Sequence, residues 1–91
     1  MSRADRIRDA LTAAFAPTVL DVEDDSGRHA GHSGASAAGE THFNVKIVSE
    51  KFTGLNRVER ARAVHIVLAD ELASGLHALA LKLITPGDTS R

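Results

Sequence analysis

The segment Thr41-His42-Phe43-Asn44-Val45-Lys46-Ile47-Val48 alternates apolar and polar residues, and that pattern restricts the fold more than any other stretch of the chain. Successive side chains of a β-strand point to opposite faces. Phe43, Val45 and Ile47 therefore share one face, and His42, Asn44 and Lys46 share the other. Such a strand needs a sheet with one covered face and one wet face. A second stretch, residues 18–23, sets Leu20 and Val22 against Asp21 and Glu23. A third, residues 76–84, puts Leu79, Leu81 and Leu83 on one side, and Pro86 ends it. Three strands are expected.

The cover for that sheet is written in two helical patterns. Ser2 and Asp5 form a capping box ahead of Ile7, Leu11, Ala14 and Phe15, which predicts a helix over residues 3–15 stopped by Pro17. "SEKFTGLN" (49–56) turns the chain, with a helical turn possible around 53–56. Asn56 and Glu59 make a second capping box. From there a helix over Arg57 to about Ala73 carries Val58, Ala61, Val64, Leu68 and Leu72 as its apolar stripe, with Gly75 as its stop. The order helix–strand–strand–helix–strand predicts an α+β fold: a three-stranded sheet with both helices on one face.

The chain has 91 residues, enough for one domain and one small core, and residues 87–91 read as a polar tail. Aromatics are only 3% of the sequence, so Leu, Val, Ile and Ala must fill that core. The net charge of −1 argues against a strongly basic nucleic-acid or membrane binder. Its distribution is uneven: residues 17–45 carry a net −4 and residues 46–62 a net +3. Lys51, Arg57, Arg60 and Arg62 belong to the basic stretch, which reads first as a solvated face. No cysteine is present, which excludes disulfides, a thiol nucleophile and a Cys-ligated metal site built by this chain alone. The N-terminus lacks the apolar core of a secretory signal and no apolar run could span a bilayer, so a cytoplasmic protein is expected. There is no P-loop, no dinucleotide-binding glycine pattern and no nucleophile elbow, and an enzyme is not expected.

Between the first two strands lies a long connection, residues 24–40, and loops of this length are commonly functional or disordered. "GRHAGHSGASAAGETHF" (27–43) places three of the five histidines, His29, His32 and His42, among four glycines and four alanines. The glycines predict a hairpin tip that stays mobile until something binds it. His29-x-x-His32 alone is too few ligands for a closed zinc site.

Taken together, Thr41-His42-Phe43, the turn from Val48-Ser49 to Phe52-Xaa-Gly54, and Leu76-His77-Ala78-Leu79 resemble the BolA family in order and spacing, and the resemblance runs from the first helix through Pro86. It implies a class II KH-like domain. It also implies a non-enzymatic partner of monothiol glutaredoxins in iron–sulfur cluster assembly or trafficking and iron homeostasis. In that family the two proteins share a bridging [2Fe-2S] cluster, with thiolates from the glutaredoxin cysteine and glutathione. The BolA partner supplies a histidine at the start of the last strand, here His77, and a cysteine or histidine from the hairpin loop. Without cysteine only the histidine version applies; His29 matches by its place in "SGRHAG", and His32 is the alternative.

The remaining histidines read differently. His42 lies opposite Phe43 on its strand, exposed or facing the loop, in a structural or supporting role. His65, next to Val64 on the long helix, reads as a core-edge histidine. The family resemblance carries an alternative function as well, a DNA-binding transcriptional regulator of stress response and cell shape. Its carriers would be Lys51, Arg57 and Arg60, although "GLNR" is not the GXXG loop with which KH domains clamp a backbone.

Overall fold

A computed structural model describes residues 2–25 and 41–89. Helix α1 spans Arg3–Phe15, and Ser2 caps it as expected: its hydroxyl accepts from the Asp5 N–H while the Asp5 carboxylate accepts from the Ser2 N–H. Ile7, Leu11 and Phe15 recur every four residues and form its buried row, whereas Ala14 stays exposed. Ala16, in the left-handed region at φ 42°, ends the helix just before Pro17.

Strand β1 (Val19–Asp24) pairs antiparallel with β2 (His42–Val48), and β2 pairs parallel with β3 (Ala78–Ile84), giving the order β1-β2-β3. The antiparallel pair is the expected hairpin; of its predicted mobile loop, residues 24–40, Asp24 belongs to β1 and residues 26–40 lie outside the described residues. A parallel neighbour requires a crossover, supplied by α2 (Arg57–Val67) and α3 (Ala69–Ala73). Phe43, Val45 and Ile47 are all buried beneath the helices, with Leu20, Val22, Leu79, Leu81 and Leu83 packed around them. The opposite face carries Asp21, Glu23, Asn44, Lys46, Ala80 and Lys82 around a shallow open depression. The α+β architecture, three strands with helices on one face, is as expected.

Between β2 and α2 the chain makes a 3₁₀ turn at Glu50–Phe52, a few residues earlier than the helical turn expected at 53–56. Phe52 is fully buried, its ring 5.0 Å from that of Phe15. Ser49, also fully buried, donates to the Phe15 carbonyl at 2.6 Å and accepts from the Lys51 N–H.

Three expectations are corrected. The long helix is two helices: at Leu68 (φ −99°, ψ 17°) the regular path is interrupted while the hydrogen bonds Leu68 N–H to Val64 and Leu72 N–H to Leu68 persist. The bend accompanies a Leu68 side chain drawn wholly into the core. Val58, placed in the apolar stripe, is 62% exposed. The residue one turn ahead of buried Val64 is Arg60, so Arg60 takes the inward row and Val58 points away. Finally, part of the expected polar tail is structured. Pro86–Thr89 forms a single turn, α4, in which the Thr85 hydroxyl accepts from the Asp88 N–H and the Asp88 carboxylate accepts from the Thr85 N–H.

Candidate functional site

The parallel pairing aligns the beginnings of β2 and β3 at one end of the sheet, with His42 opposite Ala78. His77 sits immediately before that pair. Its N–H donates to the Thr41 carbonyl at 2.8 Å, and the next N–H, of Ala78, reaches the same oxygen at 3.1 Å. On the other side of β2, the Asp25 N–H donates to the His42 carbonyl at 2.8 Å. Asp25 and Thr41 are the two roots of the histidine-bearing loop, so both roots are hydrogen-bonded into the strand end that carries His77.

Local sequence explains how His77 is presented. Gly75 adopts φ +128°, a value that residues with a Cβ rarely take, and the chain reverses there out of α3. Leu76 then fills the buried position, 3% exposed, and donates its N–H to the Glu71 carbonyl at 2.9 Å. The inward direction is thus taken by Leu76, and His77 is exposed. This corrects the expected strand, which began at residue 76: regular β3 begins at Ala78. His77 precedes the regular strand rather than belonging to it.

Glu71 ties this turn to the N-terminal helix. Its carboxylate accepts from the Arg3 guanidinium at 2.8 Å and from Arg6 at 2.9 and 3.1 Å, and Arg3 also donates to the Glu71 and Ser74 carbonyls. The hydrogen bond from Arg6, helped by the charges of Arg6 and Arg3, holds the Glu71 carboxyl below its ordinary value despite partial burial. The His77 turn is therefore fastened to α1 through one carboxylate.

His42, at the start of β2, is half-buried and its ring lies near that of His77, with centroids 6.4 Å apart and planes at 41°. His29 and His32 lie outside the described residues. His65 is exposed on α2, not at the core edge, because Val64 occupies the inward position and the next residue is rotated away. Among the described residues no three His, Asp or Glu side chains are arranged to hold a metal ion.

The basic residues differ in how they are engaged. Lys51 and Arg57 are exposed, at the 3₁₀ turn and the start of α2. Arg60 is committed to the fold: its guanidinium donates to the carbonyls of Leu55 (2.9 Å) and Leu83 (3.0 Å), pairs with Asp88 at 3.3 Å, and lies 6.0 Å from the Phe52 ring centre. Its role is to close α2 onto the edge strand β3. Sequence reasoning missed both this and the nearness of His42 to His77. Both predicted strands, 41–48 and 76–84, start one residue before a histidine, and the two histidines come together because the strands run parallel and in register.

This sheet order with this turn and histidine-bearing strand end defines a class of small α+β domains. The chain belongs to the BolA family: the family model described as BolA-like protein matches residues 11–88. It is 47% identical over 90 residues to the chloroplast protein BOLA1 of Arabidopsis thaliana, a match covering 97% of this chain and 56% of that protein. It is 43% identical to the DNA-binding transcriptional regulator BolA of Escherichia coli, covering 89% of this chain and 73% of that one. The BolA domain of SufE1 from Arabidopsis thaliana superposes with a TM-score of 0.86 at 48% identity, covering 97% and 96% of the two chains. The chain thus spans only about half the length of the chloroplast relative. No helix among the described residues is long and apolar enough to cross a membrane.

Proposed function

We propose that this protein is a non-enzymatic, cytoplasmic partner of a monothiol glutaredoxin in iron–sulfur cluster assembly or trafficking and iron homeostasis. His77 supplies one ligand to a shared [2Fe-2S] cluster and the hairpin loop supplies another, His29 or alternatively His32. The observation that carries this reading is the exposed His77, held by its own backbone on the strand end where both roots of the histidine-bearing loop are anchored. His29 is four residues from Asp25, so the chain between them can span up to about 14 Å. The donor set suits the group. Imidazole and thiolate both ligate iron–sulfur centres, and two histidines in place of two cysteines raise the reduction potential. A chain without cysteine would take its thiolates from the glutaredoxin and glutathione.

The test mixes the full chain with a cluster-loaded monothiol glutaredoxin and follows visible absorption and circular dichroism. The expected result is a new spectrum that His77→Ala abolishes. An unchanged spectrum on mixing, or an identical complex with His77→Ala, would remove the proposed ligation.

A second reading, DNA binding, is favoured by the name of the Escherichia coli relative. In this chain it would rest on Lys51 and Arg57, since Arg60 is occupied within the fold. Phosphate-driven binding falls steeply with salt; no measurable DNA binding at low salt would eliminate it.

A further inference from the structure

The ring pair at the strand ends has a capacity that needs no partner. We propose that His42 and His77 form a two-imidazole site that holds one divalent ion of the zinc class (Zn2+, Co2+ or Ni2+) in the isolated chain. The inference rests on neither the cluster nor the glutaredoxin.

Geometry supports it first. With Zn–N bonds of about 2.0–2.1 Å and the ion in each ring plane, two imidazoles on one tetrahedral ion have centroids about 5 Å apart. The observed separation is 6.4 Å, so closing by roughly 1 Å is enough, and exposed His77 has the side-chain freedom to supply it. Rigidity supports it second. The backbones that carry the two rings are locked together, because the Thr41 carbonyl just before His42 accepts from both His77 and Ala78, and His42 is in register with Ala78. The backbone therefore needs no rearrangement for the two rings to meet. Chemistry supports it third. Imidazole is a borderline ligand suited to zinc, nickel and copper rather than to magnesium or calcium. No third His, Asp or Glu completes a site among the described residues, so His42 and His77 are the two ligands proposed. An ion there would occupy His77.

The experiment uses the full chain, stripped with chelator and free of any histidine tag, titrated with Zn2+ at neutral pH. Calorimetry reads affinity, and long-range proton–nitrogen spectra of the histidine rings read which imidazoles bind. The expected stoichiometry is one to one, with the His42 and His77 ring signals moving together. His42→Ala and His77→Ala should each weaken binding about tenfold or more, because losing one of two linked ligands removes the chelate advantage. The double variant should be little worse than either single one. A His29→Ala/His32→Ala variant should bind like the parent. His42→Gln, which keeps a side chain of similar length in the strand, must show the same loss with an unchanged backbone amide spectrum. No binding at millimolar Zn2+ overturns the proposal. So does retained affinity in His42→Gln, or a loss that follows the loop histidines instead. None of these outcomes bears on whether a glutaredoxin complex forms, so the two readings fail separately.

Discussion

Replacing Glu71 by Gln keeps the side-chain volume and one acceptor oxygen but removes the charge that Arg3 and Arg6 share. The Arg3 contact is the less screened, both side chains being only 14% exposed, although the hydrogen bond from Arg6, 43% exposed, does most to lower the carboxyl's pKa. Charge-assisted hydrogen bonds are roughly twice as strong as neutral ones, so neutralising Glu71 at the Arg3 contact costs about 1–1.5 kcal/mol. The Arg6 contact, screened by solvent, adds a few tenths. The total of about 1.5 kcal/mol corresponds to a fall in Tm of about 6–12 °C for a domain of this size. Thermal melts of parent and Glu71→Gln at a series of pH values measure it. The Glu71 carboxyl is held below its ordinary value of 4.5 in the fold, chiefly by its hydrogen bond from Arg6. Its stabilisation is therefore complete above that value and is lost as the pH falls through the lower, folded one. The difference in Tm should be constant near neutrality and close on acidification. A variant that melts with the parent at pH 7, or a gap that widens in acid, would refute the reasoning. The same variant should speed amide exchange at Leu76, whose N–H is held by the Glu71 carbonyl in the turn that presents His77.

Other perturbations test the packing around the site. Ser49→Ala removes the buried hydroxyl that donates to the Phe15 carbonyl; a loss of about 1–3 kcal/mol is expected, read as a lower urea midpoint with an unchanged slope. Gly75→Ala places a Cβ at φ +128° and 3.2 Å from an Arg3 guanidinium nitrogen, and should destabilise the fold by about 1–3 kcal/mol in the same assay. Arg60→Ala should cost about 1–2 kcal/mol, because the Leu83 and Leu55 carbonyls lose their donor. Arg57→Ala, at an exposed position, should stay within about 0.5 kcal/mol of the parent. Any DNA affinity that falls in Arg57→Ala without loss of stability would mark a real contact surface.

Much of this architecture was legible in the residues, for identifiable reasons. Alternation at Phe43, Val45 and Ile47 has one solution when a single sheet face is covered, and the central strand came out with the expected face inward. Both capping boxes were readable because they depend on residues only three apart, Ser2 with Asp5 and Asn56 with Glu59. Features set by tertiary contact were not. Whether Val58 or Arg60 faces inward depends on where α2 crosses β3, and Arg60 takes that row because two carbonyls wait there for a donor. The interruption at Leu68 likewise had no signal in the residues, since no Gly or Pro marks it and a buried leucine fits an unbroken helix as well. The candidate site was half legible. His77 stood out only through the family pattern, and its exposure depends on Leu76 taking the buried place beside it. The approach of His42 required knowing that β2 and β3 run parallel and in register from their first residues.

The central claim, that this chain contributes imidazole ligands to a shared cluster, is tested most directly by nitrogen hyperfine spectroscopy. The complex with a cluster-loaded monothiol glutaredoxin is reduced by one electron, with only this chain's histidines labelled with nitrogen-15. The account predicts strong couplings from two directly bound imidazole nitrogens, both lost in His77→Ala together with the spectrum of the shared cluster. A reduced cluster with no coupling to labelled nitrogen, or with couplings unchanged in His77→Ala, would contradict it.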